Sequence, residues 1–427
     1  MVYKLIFKIG QFFRNPSLTK NYLFLKDSEK WSLKELEYYQ LTKLKELVAY
    51  CYANTTFYKN SFDKAGLKPS DIVTLADIKK IPIITKEQLI AYNTAIHSSK
   101  NNQKKFKAST SGTSGTSLTF WKDEHADSFN RASIFRGYSW FNVKPWERNL
   151  YFWGFQFSFL SKLKCKILDG LQNRFRIFSF KEVVIKKMIP KINSVTYIHG
   201  YSSMIYEVAK IYNAHQLEKP KKIKMVKGTS EKVFVAYQDA VKKAFGVPII
   251  NEYGAAETGI IAFECPKGKM HINMEGVIVE EINKELVVTN LQQTSFPIIR
   301  YKLGDYVILD TTEGTCSCGM KHQVIKEVTG RIGKIIYGRT AEFPSLYFYY
   351  IFKNLGQKHQ LYLNYQVQQH KKGHLTFLIE QQLTGLQQQY LSQEIIAYFE
   401  NDIVYEIKSN QHFTTTSKKQ ESFISTL

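Results

Sequence analysis

The sequence lacks any run of the roughly eighteen uncharged apolar residues that a membrane-spanning helix requires, so we expect no transmembrane segment. Cysteine is scarce, with five residues in 427. An odd count with no secretory signal argues against a disulfide framework and favours a reducing cytosol. Acidic residues are also few: 37 Asp and Glu stand against 59 Lys and Arg, a formal net charge of +22. The imbalance predicts an anionic partner, which nucleic acid, an anionic membrane or a phosphate-bearing ligand would each satisfy.

The composition is that of a globular protein, with 44% hydrophobic and 22% charged residues, which excludes wholesale disorder. A single core usually stops growing near roughly 250–300 residues, so a chain of 427 residues predicts two domains. Leucine and valine at helical spacing between residues 33 and 48 indicate that the first hundred residues are mainly helical.

From Val195 onward the pattern changes to short apolar runs. VTYIHG, IKMVKGTS and VPIINEYG each end in a turn that contains Gly or Ser, as buried parallel strands do. Open α/β sheets bind ligands at the carboxyl ends of such strands, so we expect one site assembled from several strand ends. The last hundred residues mix short strands with an amphipathic helix near residues 386–399, which predicts a small α+β domain.

A loop built only of Gly, Ser and Thr runs from Ser109 to Ser117. Glycines let backbone N–H groups converge and hydroxyls add donors, which together form a nest for phosphate oxygens. The loop is not a Walker motif, because no Lys follows its last Gly. A flexible surface loop is the alternative.

Three further motifs follow in order: Tyr253-Gly-Ala-Ala-Glu257, Tyr301-Lys-Leu-Gly-Asp305 and Gly330-Arg-Ile-Gly333. With this ordered set, from about residue 50 onward, the chain resembles the adenylate-forming superfamily of acyl-CoA synthetases, and within it the phenylacetate-CoA ligase and CapK-like branch. The resemblance implies an α/β fold. A large multi-layer N-terminal adenylation domain with parallel sheets would span residues 1–330, and a small mobile C-terminal α+β domain residues 331–427.

The resemblance also implies roles for the motif residues, with ATP and Mg²⁺ as cofactors. Tyr253 and Gly254 would lie against the adenine, and Glu257 would help to hold Mg²⁺, a cation that prefers carboxylate oxygen. Asp305 would accept hydrogen bonds from both ribose hydroxyls, and Arg331 would contact ribose or phosphate. The hydroxyl-rich loop would bind the β- and γ-phosphates through Ser109, Thr110, Ser111, Gly112, Thr113, Ser114, Gly115 and Thr116.

Two more segments match the family's pattern less fully. Gly228-Thr-Ser-Glu231 resembles the purine-binding loop, which makes Ser230 and Glu231 nucleotide contacts, although a helix N-terminus would explain the same residues. Lys419 occupies the position of the lysine that neutralises charge on the α-phosphate during adenylation. Lys418 replaces the glycine that usually precedes this lysine, so a frayed basic tail is the alternative for the C-terminal segment. Ser117 replaces the proline that usually follows the phosphate loop.

Four soft ligands occur in two short glycine-containing turns. Cys265 and His271 belong to the first turn, and Cys316 and Cys318 to the second. Three thiolates and one imidazole form a tetrahedral Zn²⁺ set, so the sequence predicts a structural zinc site, with unligated turn cysteines as the alternative.

The positive charge is concentrated in two segments. Residues 151–191 contain nine Lys and Arg, interleaved with aromatics, against Asp169 and Glu182. The N-terminal segment combines Lys4, Lys8 and Arg14 with the apolar residues Leu5, Ile6, Ile9, Phe12 and Phe13. Both fit peripheral contact with an anionic membrane. Nucleic acid is the weaker alternative, because no nucleic-acid module accompanies them, and an unoccupied basic surface is the third.

These features predict a cytoplasmic ligase, peripheral to the inner face of the membrane. By resemblance it would activate a carboxylic acid as acyl-AMP and transfer the acyl group to coenzyme A. Transfer to an amine or hydroxyl, in a CapK-like enzyme of surface polysaccharide biosynthesis, is one alternative. A basic membrane-associated nucleotide-binding protein without ligase activity is the other.

Overall fold

The computed structural model describes residues 1–100, 104–110, 118–152, 159–177, 182–310, 316–331, 335–411 and 422–427. The helices in these ranges are α1 (Val2–Arg14), α2 (Leu18–Ser28), α3 (Leu33–Asn54), α4 (Thr56–Lys64), α5 (Lys86–Ala91), α6 (Asn93–Ile96), α7 (Glu124–Trp140), α8 (Phe159–Leu171), α9 (Glu182–Ile192), α10 (Ser202–Ala214), α11 (Val235–Phe245), α12 (Leu346–His359) and α13 (Gly385–Phe399). The strands are β1 (Lys105–Ser109), β2 (Thr119–Asp123), β3 (Asn149–Phe152), β4 (Arg174–Arg176), β5 (Tyr197–Tyr201), β6 (Met225–Thr229), β7 (Ile249–Ala255), β8 (Gly259–Glu264), β9 (Met270–Ile272), β10 (Val277–Ile282), β11 (Glu285–Asn290), β12 (Tyr301–Leu309), β13 (Val324–Arg331), β14 (Ile335–Tyr337), β15 (Glu342–Pro344), β16 (Tyr365–Lys371), β17 (His374–Ile379), β18 (Val404–Lys408) and β19 (Phe423–Ser425).

The chain divides into two compact units that are each discontinuous in sequence. The first contains residues 1–146 and 252–328, and the second contains residues 147–251 and 329–427. The boundary between residues 251 and 252 lies within strand β7, and the boundary between residues 328 and 329 lies within strand β13. The catalytic division near residue 330 stays a prediction.

The first unit begins with the helices expected for the first hundred residues, and that prediction is confirmed. Helix α3 starts at a capping box, in which the Ser32 hydroxyl accepts the Glu35 backbone N–H and the Glu35 carboxylate accepts the Ser32 N–H. Its inner face packs with α4, Phe120 of β2 and Tyr301 of β12 in one core. The larger strands of this unit lie in the order β10-β11-β12-β13-β9-β8-β7. Antiparallel pairing joins β10 to β11, β11 to β12, β13 to β9, β9 to β8 and β8 to β7.

The second unit contains the parallel strands, in the order β6-β5-β3-β4. Their apolar side chains, such as Leu150, Ile198 and Val226, form one core with α9, α10 and α11. The predicted parallel strands are therefore confirmed for VTYIHG and IKMVKGTS. The third run, VPIINEYG, forms β7 and pairs antiparallel with β8, because a short hairpin turn and not a helical crossover follows it.

The C-terminal region has the predicted α+β architecture. Strands β18-β17-β16-β19 form a four-stranded sheet, and α12 and α13 pack around Phe377 at its centre. Helix α13 begins at a capping box formed by Thr384 and Gln387, close to the predicted start. The sheet also contacts the parallel part of its unit, where the Phe234 and Tyr365 ring centroids lie 5.5 Å apart.

Across the described residues no helix combines the length and the apolar character that crossing a bilayer would need. Helix α8, in the basic segment, exposes Leu163, Ile167 and Leu171 beside Lys164 and Lys166. The membrane and nucleic-acid interpretations of residues 151–191 both stay predictions.

Candidate active site

The hydroxyl-rich loop connects the two strands of an antiparallel hairpin. Ser109 pairs with Thr119 at the end of β1 and β2, and their hydroxyl oxygens lie 3.1 Å apart. The Thr110 N–H donates to the Leu118 carbonyl over 2.9 Å, and the Leu118 N–H donates to the Thr110 hydroxyl over 3.0 Å. These bonds hold the two ends of the loop together. The loop residues Ser111, Gly112, Thr113, Ser114, Gly115 and Thr116 lie outside the described residues, and their phosphate contacts stay predictions.

The YGAAE motif forms the end of β7 and the turn into β8. Gly254 pairs with Ile260 across this hairpin, and a Cβ at Gly254 would lie 2.4 Å from the Gly259 carbonyl oxygen. The close approach of the two backbones therefore requires glycine at position 254. Glu257 lies in the turn and is buried. The neighbouring Thr258 carbonyl accepts the Asn290 amide over 3.0 Å, which helps to fix the turn that carries the carboxylate.

Tyr253 and Asp305 are 52 positions apart in the sequence and meet in the first unit. The Tyr253 hydroxyl donates to Asp305 Oδ2 over 2.6 Å. Gly304 immediately precedes the carboxylate and has a φ of +81°, a conformation that favours glycine. A carboxylate accepts about four hydrogen bonds, so a bond from Tyr253 orients Asp305 and is compatible with further donors such as ribose hydroxyls.

Lys122 is a candidate residue that the sequence analysis missed. It lies half-buried on β2, in the strand that follows the hydroxyl-rich loop. Burial lowers the pKa of Lys122, while Asp127 and Glu257 act in the opposite direction. A Walker motif has its lysine directly after the last glycine of the loop, whereas Lys122 stands in the strand that follows the loop. A lysine in that strand is the signal in the sequence that could have indicated it.

Two strand-end loops of the second unit pack against each other. The Glu231 carboxylate accepts the Ser203 N–H over 2.9 Å at the start of α10. Acceptors are favoured there because the first N–H groups of a helix lack internal partners. Ser230 has a φ of +66°, and a Cβ at Gly228 would lie 2.4 Å from the Ser202 hydroxyl. The alternative, a helix N-terminus capped by Thr229 or Ser230 in this segment, is wrong, because the next helix, α11, begins at Val235 with Phe234 as its N-cap. The purine-binding role of Ser230 and Glu231 stays a prediction.

The remaining predicted nucleotide contacts are Arg331 and Lys419. Arg331 is the last residue of β13, and Lys419 lies outside the described residues. His199 of β5 stacks on Tyr151 with ring centroids 4.4 Å apart. Its Nε2 lies 3.1 Å from Asn149 Oδ1, and burial together with nearby Lys227 lowers its pKa.

The four predicted zinc ligands do come together in the first unit. The ligand atoms of Cys265, His271, Cys316 and Cys318 all lie within 4.8 Å of one another. The Cys265 and Cys316 sulfurs are 3.8 Å apart, and Cys318 Sγ is 3.3 Å from His271 Nε2. A tetrahedral site with Zn–S of about 2.3 Å and Zn–N of about 2.0 Å places its ligand atoms roughly 3.5–3.8 Å apart. The residues fit a zinc ion.

The surroundings of this cluster orient its ligands. His271 Nδ1 lies 3.3 Å from the His322 carbonyl oxygen, and this hydrogen bond directs Nε2 toward the cysteines. Burial lowers the pKa of His271 to about 4, so the imidazole is in the neutral form that binds metals. The Lys267 N–H donates to Cys265 Sγ over 3.4 Å, as backbone amides do around thiolate ligands.

Comparison with known proteins confirms the resemblance to adenylate-forming ligases. No family model matches the chain. Protein CapK of Staphylococcus aureus is 25% identical over 352 residues, which cover 77% of this chain and 75% of that protein. Phenylacetate-coenzyme A ligase of Aromatoleum evansii is 40% identical over 65 residues, or 15% of each chain. The crystal structure of 2-hydroxyisobutyryl-CoA ligase with 2-HIB-AMP, in the postadenylation state, matches with a TM-score of 0.70 and 15% identity, over 93% of this chain and 91% of that one. At that identity the structural likeness establishes the fold, which is the fold of the CoA ligases.

Proposed function

We propose that this protein is an ATP-dependent adenylate-forming ligase, which activates a carboxylic acid as acyl-AMP and transfers the acyl group to an acceptor. The observation that carries the proposal is the Tyr253–Asp305 hydrogen bond of 2.6 Å. It joins two motifs for which the resemblance implies adenine and ribose contacts, in a chain with the fold of the CoA ligases.

In the first half-reaction a carboxylate oxygen of the acid attacks the α-phosphorus of ATP. A new oxygen–phosphorus bond forms, the bond to the bridging oxygen of the β-phosphate breaks, and pyrophosphate leaves. Asp305 would fix the ribose, and the hydroxyl-rich loop would bind the two phosphates that leave as pyrophosphate. Magnesium, when bound, supplies positive charge beside those phosphates. Glu257 would hold the ion, and Lys122, whose pKa the negative charges of Asp127 and Glu257 act to raise, would add positive charge from the chain itself.

In the second half-reaction an acceptor displaces AMP from the acyl-adenylate. Coenzyme A thiol is the acceptor that we favour, because the structural match is to a CoA ligase over 93% of this chain. An amine or hydroxyl acceptor, with a place in surface polysaccharide biosynthesis, is the second candidate. It is favoured by the similarity to CapK, which extends over 77% of this chain, whereas that to phenylacetate-coenzyme A ligase extends over 15%.

Release of pyrophosphate across a panel of carboxylic acids tests the proposed activity. With Mg·ATP we expect at least one acid to give release well above the acid-free rate, and an acyl-AMP to be detectable by mass spectrometry. Adding coenzyme A, an amine or a hydroxyl acceptor in separate reactions then identifies the class of acceptor. No release with any acid would favour a nucleotide-binding protein without ligase activity.

Replacing Lys419 by alanine should separate the two half-reactions. The positive charge that stabilises the pentavalent α-phosphorus is lost, so we expect adenylation to fall by roughly 100-fold or more. Transfer from chemically prepared acyl-AMP should stay within about threefold of wild type, because no phosphoryl transfer occurs in that step. Lys418→Ala is the matched control. Normal adenylation by Lys419→Ala together with loss in Lys418→Ala would move the role to Lys418.

We further propose that Cys265, His271, Cys316 and Cys318 bind a structural zinc ion. The proposal is supported by the closeness of their ligand atoms, which all lie within 4.8 Å of one another. The ion would join the β8–β9 turn to the segment before β13 and leave the chemistry to other residues. Cytoplasmic location and peripheral membrane contact stay predictions.

A further inference from the structure

Helix α1 attaches to the first unit by one narrow face. The Phe7 ring lies 5.7 Å from that of Phe135 and 5.5 Å from that of Trp146, measured between centroids. At the end of the helix the Lys104 ammonium donates to the Phe13 carbonyl over 2.7 Å. These contacts fix both the position of the helix and its rotation about its own axis.

The opposite face of α1 is apolar and points to solvent. Its side chains are 50–71% exposed, and none of the residues of α1 is buried. Spacings of three, four and seven residues place them in one stripe on the helix surface. The stripe consists of Val2, Leu5, Ile9, Phe12 and Phe13. Ile6, which the sequence analysis grouped with them, is half-buried and does not belong to it.

This orientation is the reverse of what an amphipathic helix on a globular protein usually shows. The apolar stripe normally faces the core, and large apolar side chains are exposed singly. Here five of them form a continuous surface on one helix, while Phe7 and its neighbours hold the helix in place. Such a surface is typical of an interaction site for an apolar partner.

The charge around the stripe identifies the kind of partner. Helix α1 contains Lys4, Lys8 and Arg14 and no acidic residue. Lys4 and Lys8 are exposed; the Lys4 ammonium lies 5.8 Å from the Trp146 ring centroid, and that of Lys8 donates to the Thr19 hydroxyl over 3.3 Å. Long lysine side chains can exchange such surface contacts for lipid headgroups while the apolar side chains insert. A second copy of the chain is disfavoured, because a symmetric contact would bring the lysines of the two helices together.

We propose that the outward face of α1 docks on an anionic lipid bilayer. The helix lies in the plane of the interface, with Leu5, Ile9 and Phe12 at the boundary between headgroups and acyl chains. Lys4 and Lys8 contact anionic headgroups. This function of the helix is additional to the ligase activity and independent of it.

Flotation of the full-length protein with vesicles tests the proposal. We expect co-flotation with phosphatidylcholine vesicles that contain 30% phosphatidylserine at 50 mM salt. We expect severalfold less with pure phosphatidylcholine or at 500 mM salt, because screening weakens the attraction of lysine to the headgroups. The variant Leu5→Ser/Phe12→Ser should lose ~tenfold or more of the bound fraction, and Lys4→Gln/Lys8→Gln should lose the preference for phosphatidylserine.

The matched control is Val73→Ser/Leu386→Ser, which removes two apolar side chains that are 61% and 57% exposed elsewhere and should float like wild type. Unchanged thermal unfolding shows that each variant is folded, and pyrophosphate release in solution reports on the ligase separately. No flotation of wild type with anionic vesicles, or equal flotation of Leu5→Ser/Phe12→Ser, would overturn the proposal. A shift on single-stranded RNA in place of flotation would also overturn it.

Discussion

Replacing Asp305 by alanine is expected to reduce ATP-dependent pyrophosphate release by about 100-fold or more, with most of the loss in the KM for ATP. Hydrogen bonds to a charged group contribute about 1.5–3 kcal/mol each, and Asp305 is proposed to accept two from ribose. Loss of both corresponds to roughly two to four orders of magnitude in kcat/KM. The measurement is initial rate against ATP concentration at saturating acid.

Two variants separate nucleotide binding from a purely structural role of Asp305. Asp305→Asn keeps an oxygen that can accept the Tyr253 hydroxyl but loses the charge, so its KM should lie between those of wild type and Asp305→Ala. Tyr253→Phe removes the donor that lies 2.6 Å from Asp305 and should cost about tenfold.

Asp310→Ala provides the matched control, because Asp310 lies five positions further on and faces Lys269 at 3.2 Å. We expect this variant to keep the wild-type KM for ATP. A wild-type KM in folded Asp305→Ala would contradict the assignment of Asp305 to ribose.

The second large effect is expected on the cysteine cluster. Protein purified without chelator should contain close to one zinc ion per chain by elemental analysis, and Cys318→Ser should retain a small fraction of it. Structural zinc contributes about 10–16 kcal/mol in peptides that fold around the metal. If zinc binding contributes only a few kcal/mol to the free energy of unfolding of this larger protein, its loss would lower the unfolding midpoint by ~10 °C.

The reason is the state of the ligands without metal. Burial raises the pKa of Cys265, and it raises that of Cys318 to about 12, so both thiols are protonated at neutral pH unless a cation displaces the protons. Without the ion, the two turns would lose the four metal–ligand bonds that hold them together.

Cys165→Ser is the control for this experiment, because Cys165 is half-buried on α8, outside the cluster. It should keep both the zinc and the unfolding midpoint. Wild-type protein without zinc after growth in zinc-supplemented medium would show that the four residues are unligated turn residues.

A buried ionic network connects the cluster to the helices behind it. His322 Nε2 lies 2.9 Å from Glu275 Oε1, and Arg136 Nη1 of α7 lies 2.7 Å from the same oxygen. Burial acts to raise the pKa of Glu275, but Arg136 and His322 outweigh it and hold that pKa well below its usual range. Loss of zinc should therefore destabilise the first unit beyond its two turns, because displacement of His322 would leave the buried Glu275 carboxylate without one of its hydrogen-bond partners, at a cost of about 1–3 kcal/mol.

Much of the site could be predicted because its chemistry is local in sequence. Gly254, Glu257 and Asp305 each stand in a short motif whose residue types indicate a task, and the two cysteine turns supply ligands of the right kind. Lys122 could not be predicted in this way. It stands in the β1–β2 hairpin, and the electrostatic effect on its pKa of a glutamate 135 positions later in the sequence arises only in the folded chain.

The sequence alone determined the helical first hundred residues, the parallel strands β5 and β6, the C-terminal α+β region and the order of the motifs. Spacing and residue type decide these features, because hydrophobic periodicity and turn chemistry act over a few residues. The tertiary structure alone decided which residues meet: Tyr253 with Asp305, and the four zinc ligands with one another. It also decided the direction of helix α1. Both of its faces contain apolar side chains, so periodicity cannot choose between them, and the aromatic contacts of Phe7 turn the larger face outward.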